Sequence, residues 1–107
     1  MVDFGDPVGH EQGYRWPALV VSANHLNRSR AGVIIVIPTT TTRRGIPSQI
    51  EIEPGDSGLA ATRYVKAEDL KSVSVQRLVK RYGRVPLGTM QQVERVLAHV
   101  LDLSLQS

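Results

Sequence analysis

The residues best suited to chemistry lie in one short polar segment, residues 9–17, which begins with glycine and ends with proline. It contains a carboxylate (Glu11), an imidazole (His10), a permanent cation (Arg15) and two aromatic rings (Tyr14 and Trp16). A carboxylate or an imidazole can move protons, and a guanidinium can stabilise negative charge that develops at phosphorus. A phosphodiester site would use these residue types. The alternative is an ordinary hairpin loop whose two aromatic side chains cap the core.

A second segment, residues 39–45, places four threonines directly before two arginines. Hydroxyl and guanidinium donors together can bind phosphate. The alternative is that threonine favours strands and that the arginines protect a sheet edge from unwanted pairing. Both segments adjoin predicted strands, so the two loops could face one another. The candidate residues here are Thr39, Thr40, Thr41, Arg43 and Arg44.

The composition excludes several other kinds of chemistry. The chain has 107 residues, no cysteine and only three histidines, which are far apart, so the sequence predicts neither a metal site nor a disulfide. The net charge is +3 and most of the 13 basic residues lie between residues 43 and 84, which predicts a local basic patch suited to a polyanion. No apolar run approaches the ~20 residues of a membrane span. With no secretory signal at the start, we expect one cytoplasmic domain over residues 1–107.

Short β-strands are predicted to position the candidate residues. Two apolar runs rich in β-branched residues, 17–22 and 32–38, predict buried strands, and residues 48–53 alternate so that Ile50 and Ile52 share one face. Residues 60–65 and 70–75 are weaker candidates for strands. The polar connection between the first two strands contains Leu26, which could hold one turn of helix.

The end of the chain has a different period. From Thr89 onward, apolar residues recur at three- and four-residue spacing, which predicts an amphipathic helix. Short strands followed by one terminal helix predict an α+β fold that is mainly β, a small and strongly bent antiparallel sheet or barrel carrying a helix.

Several blocks occur in a characteristic order. They are VGHEQGYRWPALVVS, NHLNRS, VIPTTTTRRGIP, and then Arg77-Leu78 and Gly83-Arg84-Val85 before the helix. In this order and spacing, the chain resembles the MazF/PemK family of toxin endoribonucleases from bacterial type II toxin–antitoxin systems, over nearly its whole length. Family members usually place an arginine directly before the proline of the first block. Here that position holds Trp16, and the guanidinium stands one place earlier, at Arg15.

The resemblance implies a compact SH3-like barrel of the CcdB/PemK type with a C-terminal helix, assembled as a homodimer. It implies a metal-independent endoribonuclease of the mRNA interferase type, without any cofactor, that cuts single-stranded RNA at short sequences. The products would carry 2′,3′-cyclic phosphate and 5′-hydroxyl ends. An acidic, MazE-like antitoxin would inhibit the enzyme.

The resemblance also assigns roles to residues. The family's catalytic pair, a loop arginine and a threonine after the strand, corresponds to Arg15 and Thr40, with Thr39 and Thr41 as rivals for the threonine. Glu11 corresponds to a loop acid that some members keep, and Glu11 or His10 could accept the attacking proton. The RNA-binding candidates are His10, Tyr14, Trp16, Asn24, Asn27, Arg28, Thr39, Thr41, Arg43 and Arg44.

Two other functions fit the same pattern. One is a non-catalytic barrel of the same superfamily that acts by protein binding, as the CcdB-like gyrase poisons do. These end in a Trp-Gly-Ile-like tail, whereas this chain ends Asp102-Leu-Ser-Leu-Gln-Ser107, which argues against them. The other is a small RNA-binding module without catalytic activity.

Overall fold

A computed structural model describes residues 1–4, 15–55 and 57–103 of the chain. These residues form seven β-strands, two α-helices and two single 3₁₀ turns. In chain order the elements are β1 (Val2–Asp3), β2 (Arg15–Trp16), β3 (Ala18–Val20), α1 (Asn24–Asn27), β4 (Val33–Thr40), β5 (Gln49–Ile52), β6 (Arg63–Lys66), a 3₁₀ turn (Ala67–Asp69), β7 (Lys71–Ser74), a second 3₁₀ turn (Val75–Arg77) and α2 (Leu87–Val100).

The longest strand, β4, is paired along both of its edges. Val36 pairs with Val20 of β3 and also with Lys71 of β7, so these two strands lie on opposite sides of β4. Beyond β7, on the same edge, Thr39 and Thr40 pair with β6. All pairings are antiparallel, and β5 extends the sheet beyond β6.

The two faces of β4 belong to two apolar clusters, because successive side chains of a strand point to opposite faces. On one face, Ile37 packs with Ile50 and Val65 in the larger cluster, which the fully buried Val93 of α2 also joins. On the other face, Ile34 and Val36 pack with Val2 and Val73.

The structure confirms the predicted fold class, which is mainly antiparallel β with a C-terminal helix. The predicted alternation over residues 48–53 is correct, since Ile50 and Ile52 are buried and Glu51 is exposed. The turn of helix at Leu26 is also present as α1. Among the described strands, however, the ladder does not close on itself, and β3 and β5 remain at its two ends. The sheet of the described strands is therefore not a closed barrel.

Replacing Ile50 by alanine should destabilise the fold by about 2–5 kcal/mol, because it opens a cavity in the larger cluster. Glu51→Ala, one position along the same strand but exposed, should change the free energy of unfolding by no more than about 0.5 kcal/mol. Urea unfolding followed by circular dichroism measures both variants. Equal losses of unfolding free energy in the two variants would contradict the assignment of Ile50 to the buried face of β5 and Glu51 to its exposed face.

Candidate functional site

A partly buried hydrogen-bond chain joins β4 to β6 and to the residue between β2 and β3, at the C-terminal end of β4. The Thr39 hydroxyl donates to the carbonyl oxygen of Pro17 at 2.6 Å and accepts from Nε of Arg63 at 2.6 Å. Nη2 of Arg63 also donates to the Thr39 carbonyl at 3.1 Å, and the Thr39 amide donates to the Pro17 carbonyl at 3.2 Å. Only 6% of Thr39 is exposed. Thr39 is therefore a structural link, and its burial differs from the surface RNA contact expected for it.

Arg63 was not among the sequence-based candidates. It is the first residue of β6 and lies two positions before the buried Val65, so its side chain points to the inner face of the sheet. No carboxylate of the described residues lies within ion-pair distance of it. Burial lowers the pKa of the Arg63 guanidinium below its usual value, and the nearby Tyr82 opposes that shift. The sequence contains one signal for this residue, because Arg63 occupies an inward-facing position of the strand predicted over residues 60–65.

Thr40 lies on the opposite face of β4 from Thr39, and it is partly buried. Its hydroxyl oxygen accepts a hydrogen bond from the Thr42 amide at 3.1 Å. Within the described part of the chain, its O–H group donates to no acceptor, so it remains available to a ligand. Thr41 is exposed. Of the three rival threonines, Thr40 has the hydroxyl best placed to donate to a phosphate oxygen from a fixed strand.

Arg15 and Trp16 lie at the same end of β4 as Thr40. The register Ala18↔Pro38, continued by the hydrogen bond between Pro17 and Thr39, brings them there. The guanidinium of Arg15 is 3.6 Å from the carboxylate of Asp3 and is 64% exposed. Trp16 is 42% exposed. Arg15 thus presents its charge to solvent, and the next residue, Trp16, presents an exposed ring on the other face of β2.

Arg43 and Arg44 are exposed in the loop that follows β4. Gln49 holds this loop, since its Oε1 accepts from the Arg44 amide at 2.7 Å and its Nε2 donates to the Thr42 carbonyl at 2.9 Å. The loop arginines therefore extend the basic surface from a restrained backbone.

The remaining described candidates lie near the other half of β4. Asn27 bonds with Ser22 through both ends of its amide, and the Ser22 hydroxyl also accepts from the Ile35 amide at 3.0 Å. These bonds give Asn27 a structural role. Asn24 and Arg28 are exposed on and beside α1. Since Ile35 precedes Thr40 by five residues of extended chain, roughly 17 Å, the structure does not bring this group together with Thr40.

Three candidates, His10, Glu11 and Tyr14, lie outside the described residues. Within the described part, no helix is both long and apolar enough to cross a bilayer.

Comparison with known proteins identifies the family. A model of the PemK-like, MazF-like toxins of type II toxin–antitoxin systems matches residues 1–101. The chain belongs to this family. Endoribonuclease MazF9 of Mycobacterium tuberculosis is 32% identical to it, over 95% of this chain and 91% of the relative. Endoribonuclease MazF4 of the same organism is 37% identical, over 81% and 79%.

Solved structures of the MazF family agree with the fold. A MazE–MazF structure from Deinococcus radiodurans superposes with a TM-score of 0.79 at 28% identity, covering 96% of this chain and 90% of that one. A mycobacterial endoribonuclease in complex with its cognate antitoxin gives 0.74 at 32% identity, covering 90% of each chain. The predicted toxin family and class of enzyme are thus confirmed, and the CcdB-like alternative is not favoured.

Thr39→Val tests the buried link of this MazF-like toxin. Valine keeps the shape but removes the acceptor of Arg63 Nε and one of the two donors to the Pro17 carbonyl, so we expect a loss of about 1–3 kcal/mol in the free energy of unfolding. Thr41→Val, at an exposed position of the same threonine run, should cost no more than about 0.5 kcal/mol. Urea unfolding measures both. A Thr39→Val variant as stable as the parent would show that the chain of hydrogen bonds is dispensable.

Proposed function

We propose that this MazF-like toxin is a metal-independent endoribonuclease that cleaves single-stranded RNA at short sequences. One observation carries the proposal beyond family membership. The exposed guanidinium of Arg15 and the available hydroxyl of Thr40 lie at the same end of β4. A cation and a hydroxyl donor at the same end of β4 can bind one phosphodiester from two sides.

The proposed reaction uses the RNA's own nucleophile. The ribose 2′-oxygen attacks the adjacent phosphorus, the bond from phosphorus to the 5′-oxygen breaks, and the products carry a 2′,3′-cyclic phosphate and a 5′-hydroxyl. Arg15 neutralises the charge of the pentacoordinate phosphorus, and Thr40 donates a hydrogen bond to a non-bridging oxygen. Glu11 accepts the proton of the 2′-hydroxyl, and the leaving 5′-oxygen takes a proton from water to become the 5′-hydroxyl. Protein groups alone thus supply the charge stabilisation and the proton acceptor.

Single-stranded RNA offers unstacked bases to aromatic side chains. Trp16 is exposed next to Arg15 and would stack on a base near the scissile bond. Arg43 and Arg44, on the loop that Gln49 restrains, would follow the phosphate backbone. Specificity for a short sequence then depends on the base edges that these loops contact.

Arg15→Ala and Thr40→Val should each slow cleavage by roughly 10²–10³-fold, the usual effect of removing one donor to transition-state charge. The assay maps and quantifies new 5′ ends on a long defined RNA in excess chelator. Both variants should remain folded, because the Arg15 ion pair is exposed and because Thr40→Val keeps the side-chain shape and removes only an exposed hydrogen bond.

Arg30→Ala is the matched control, since Arg30 is exposed beside the N-terminal end of β4 and belongs to no candidate group. It should cut at the parent rate. If Arg15→Ala and Thr40→Val also cut at that rate, the assigned catalytic pair is wrong. If the parent chain cuts no RNA in chelator, metal-independent cleavage is wrong.

The proposed working form is a homodimer that an acidic MazE-like antitoxin inhibits. Large apolar side chains remain exposed along the described surface, with exposed fractions of 40% at Val100, 48% at Leu101 and 74% at Leu87. Several, including Val100, Leu101 and Leu103, follow one another at the end of α2. Exposed apolar surface of this kind is typical of protein interfaces. The relatives of known structure include complexes of a toxin with its antitoxin.

The full chain at micromolar concentration should sediment as a single species of twice the 11.8 kDa monomer mass. Burial of the exposed apolar side chains is the expected driving force. Analytical ultracentrifugation over a dilution series measures the mass directly. A species of monomer mass across the series would contradict the dimer.

A further inference from the structure

A concave pocket adjoins the proposed catalytic end of β4. Its volume is about 240 Å³, and it is lined by Pro17, Gly58, Leu59, Ala60, Ala61, Arg63 and Tyr82. Pro17 directly follows Arg15 and Trp16 in the chain, so the pocket begins where the proposed active site ends. It is smaller than the ~300 Å³ typical of pockets that enclose a whole ligand, and suits one charged group with part of a ring.

The floor of this pocket carries a cation whose position is fixed. Nε and Nη2 of Arg63 are both bonded to Thr39, so the guanidinium plane cannot rotate freely. Nη1 has no hydrogen-bond partner among the described residues, and no carboxylate there neutralises the charge. A partly buried guanidinium without a counter-ion attracts an anion, and its remaining N–H groups are suited to phosphate oxygens.

The wall of the pocket carries an aromatic ring held by a close backbone contact. Gly58 has a φ of +73°, and a Cβ atom there would stand 2.3 Å from the Tyr82 carbonyl oxygen. Only glycine permits this approach, which holds the Tyr82 backbone against residues 57–59. The Tyr82 side chain is 37% exposed, and Nζ of Lys80 lies 5.6 Å from its ring centroid. The ring therefore stands in a positively charged environment at the pocket edge.

We infer that Arg63 and Tyr82 form a nucleotide subsite for the RNA beside the scissile phosphate. Arg63 binds the phosphate of the neighbouring nucleotide, and Tyr82 stacks on its base. This inference rests on the proposed function. A carboxylate of an acidic peptide would also satisfy Arg63, but a ring next to the guanidinium matches the base and phosphate of one nucleotide.

The test measures binding of a labelled single-stranded oligonucleotide that carries a 2′-O-methyl group on every ribose, and hence cannot be cleaved. Its sequence is the mapped cleavage site or, if the parent chain does not cut, a randomised pool. Dissociation constants are measured over a salt series for the parent and for Arg63→Gln, Tyr82→Leu and Tyr82→Phe. Arg30→Gln is the charge-matched control.

Arg63→Gln should weaken binding by about tenfold at low salt and reduce the slope of log K against log salt by about 0.7, the value for one phosphate contact on a single strand. Tyr82→Leu should weaken binding by at least about fivefold without changing the slope, because stacking is not ionic. Tyr82→Phe keeps the ring and should bind as the parent does. Arg30→Gln should stay within about twofold of the parent, since its charge lies outside the site.

Thr39→Val separates contact from structure, because it cuts the same hydrogen-bond chain and keeps the guanidinium. If it reproduces the slope change of Arg63→Gln, Arg63 acts only through the fold and the subsite is wrong. The subsite is also overturned if Arg63→Gln and Tyr82→Leu bind the oligonucleotide as the parent does. It is overturned as well if these substitutions weaken the binding of a glutamate-rich peptide but not that of the oligonucleotide.

The cleavage assay in chelator, run in parallel on unmodified RNA, tests the proposed function separately. If the parent chain cuts RNA and its Arg63 and Tyr82 variants bind the oligonucleotide normally, the proposed function stands and the subsite is wrong. If the parent chain binds the oligonucleotide through Arg63 and Tyr82 but does not cut RNA, the nuclease proposal is wrong and the binding subsite stands.

Discussion

The packing of β4 on both faces and along both edges is the constraint on which the rest of the structure depends. A strand in this position must be apolar, and residues 33–37 are Val-Ile-Ile-Val-Ile. Its register with β3 and β6 then decides which residues meet at its C-terminal end. A slip of one residue would exchange the faces of Thr39 and Thr40, removing the buried link and burying the available hydroxyl.

That same end of β4 shows how the fold accommodates polar groups. A buried hydroxyl and a partly buried guanidinium are costly unless they are hydrogen-bonded, and here they satisfy each other and the Pro17 carbonyl. The link ties the segment after Arg15 to the centre of the sheet. Stability and the inferred nucleotide subsite therefore share Thr39, Pro17 and Arg63, and of these three residues only Arg63 keeps a donor available for a ligand.

Much of the fold was predictable because its signals are local. The β-branched runs, the alternation around Ile50 and the period of α2 each follow from the geometry of one element. The pattern within residues 39–41 was less informative, because three identical side chains stand in sequence and their roles depend on which face each one takes. Arg63 was overlooked for a related reason, since its importance lies in a contact with Thr39, 24 residues away in the chain.

The sequence by itself determined the family, the order of the elements and the two segments that carry hydroxyls and guanidiniums. These follow from residue identity and spacing, which act over a few positions. Only the tertiary structure decided that Thr39 is a buried link, that Thr40 keeps an available O–H group, and that Asn27 bonds with Ser22. It also brought Arg63 and Tyr82 to one pocket beside Pro17. Such distinctions depend on strand register and packing between distant segments, because a hydroxyl or guanidinium acquires its role from the partners that the fold places around it.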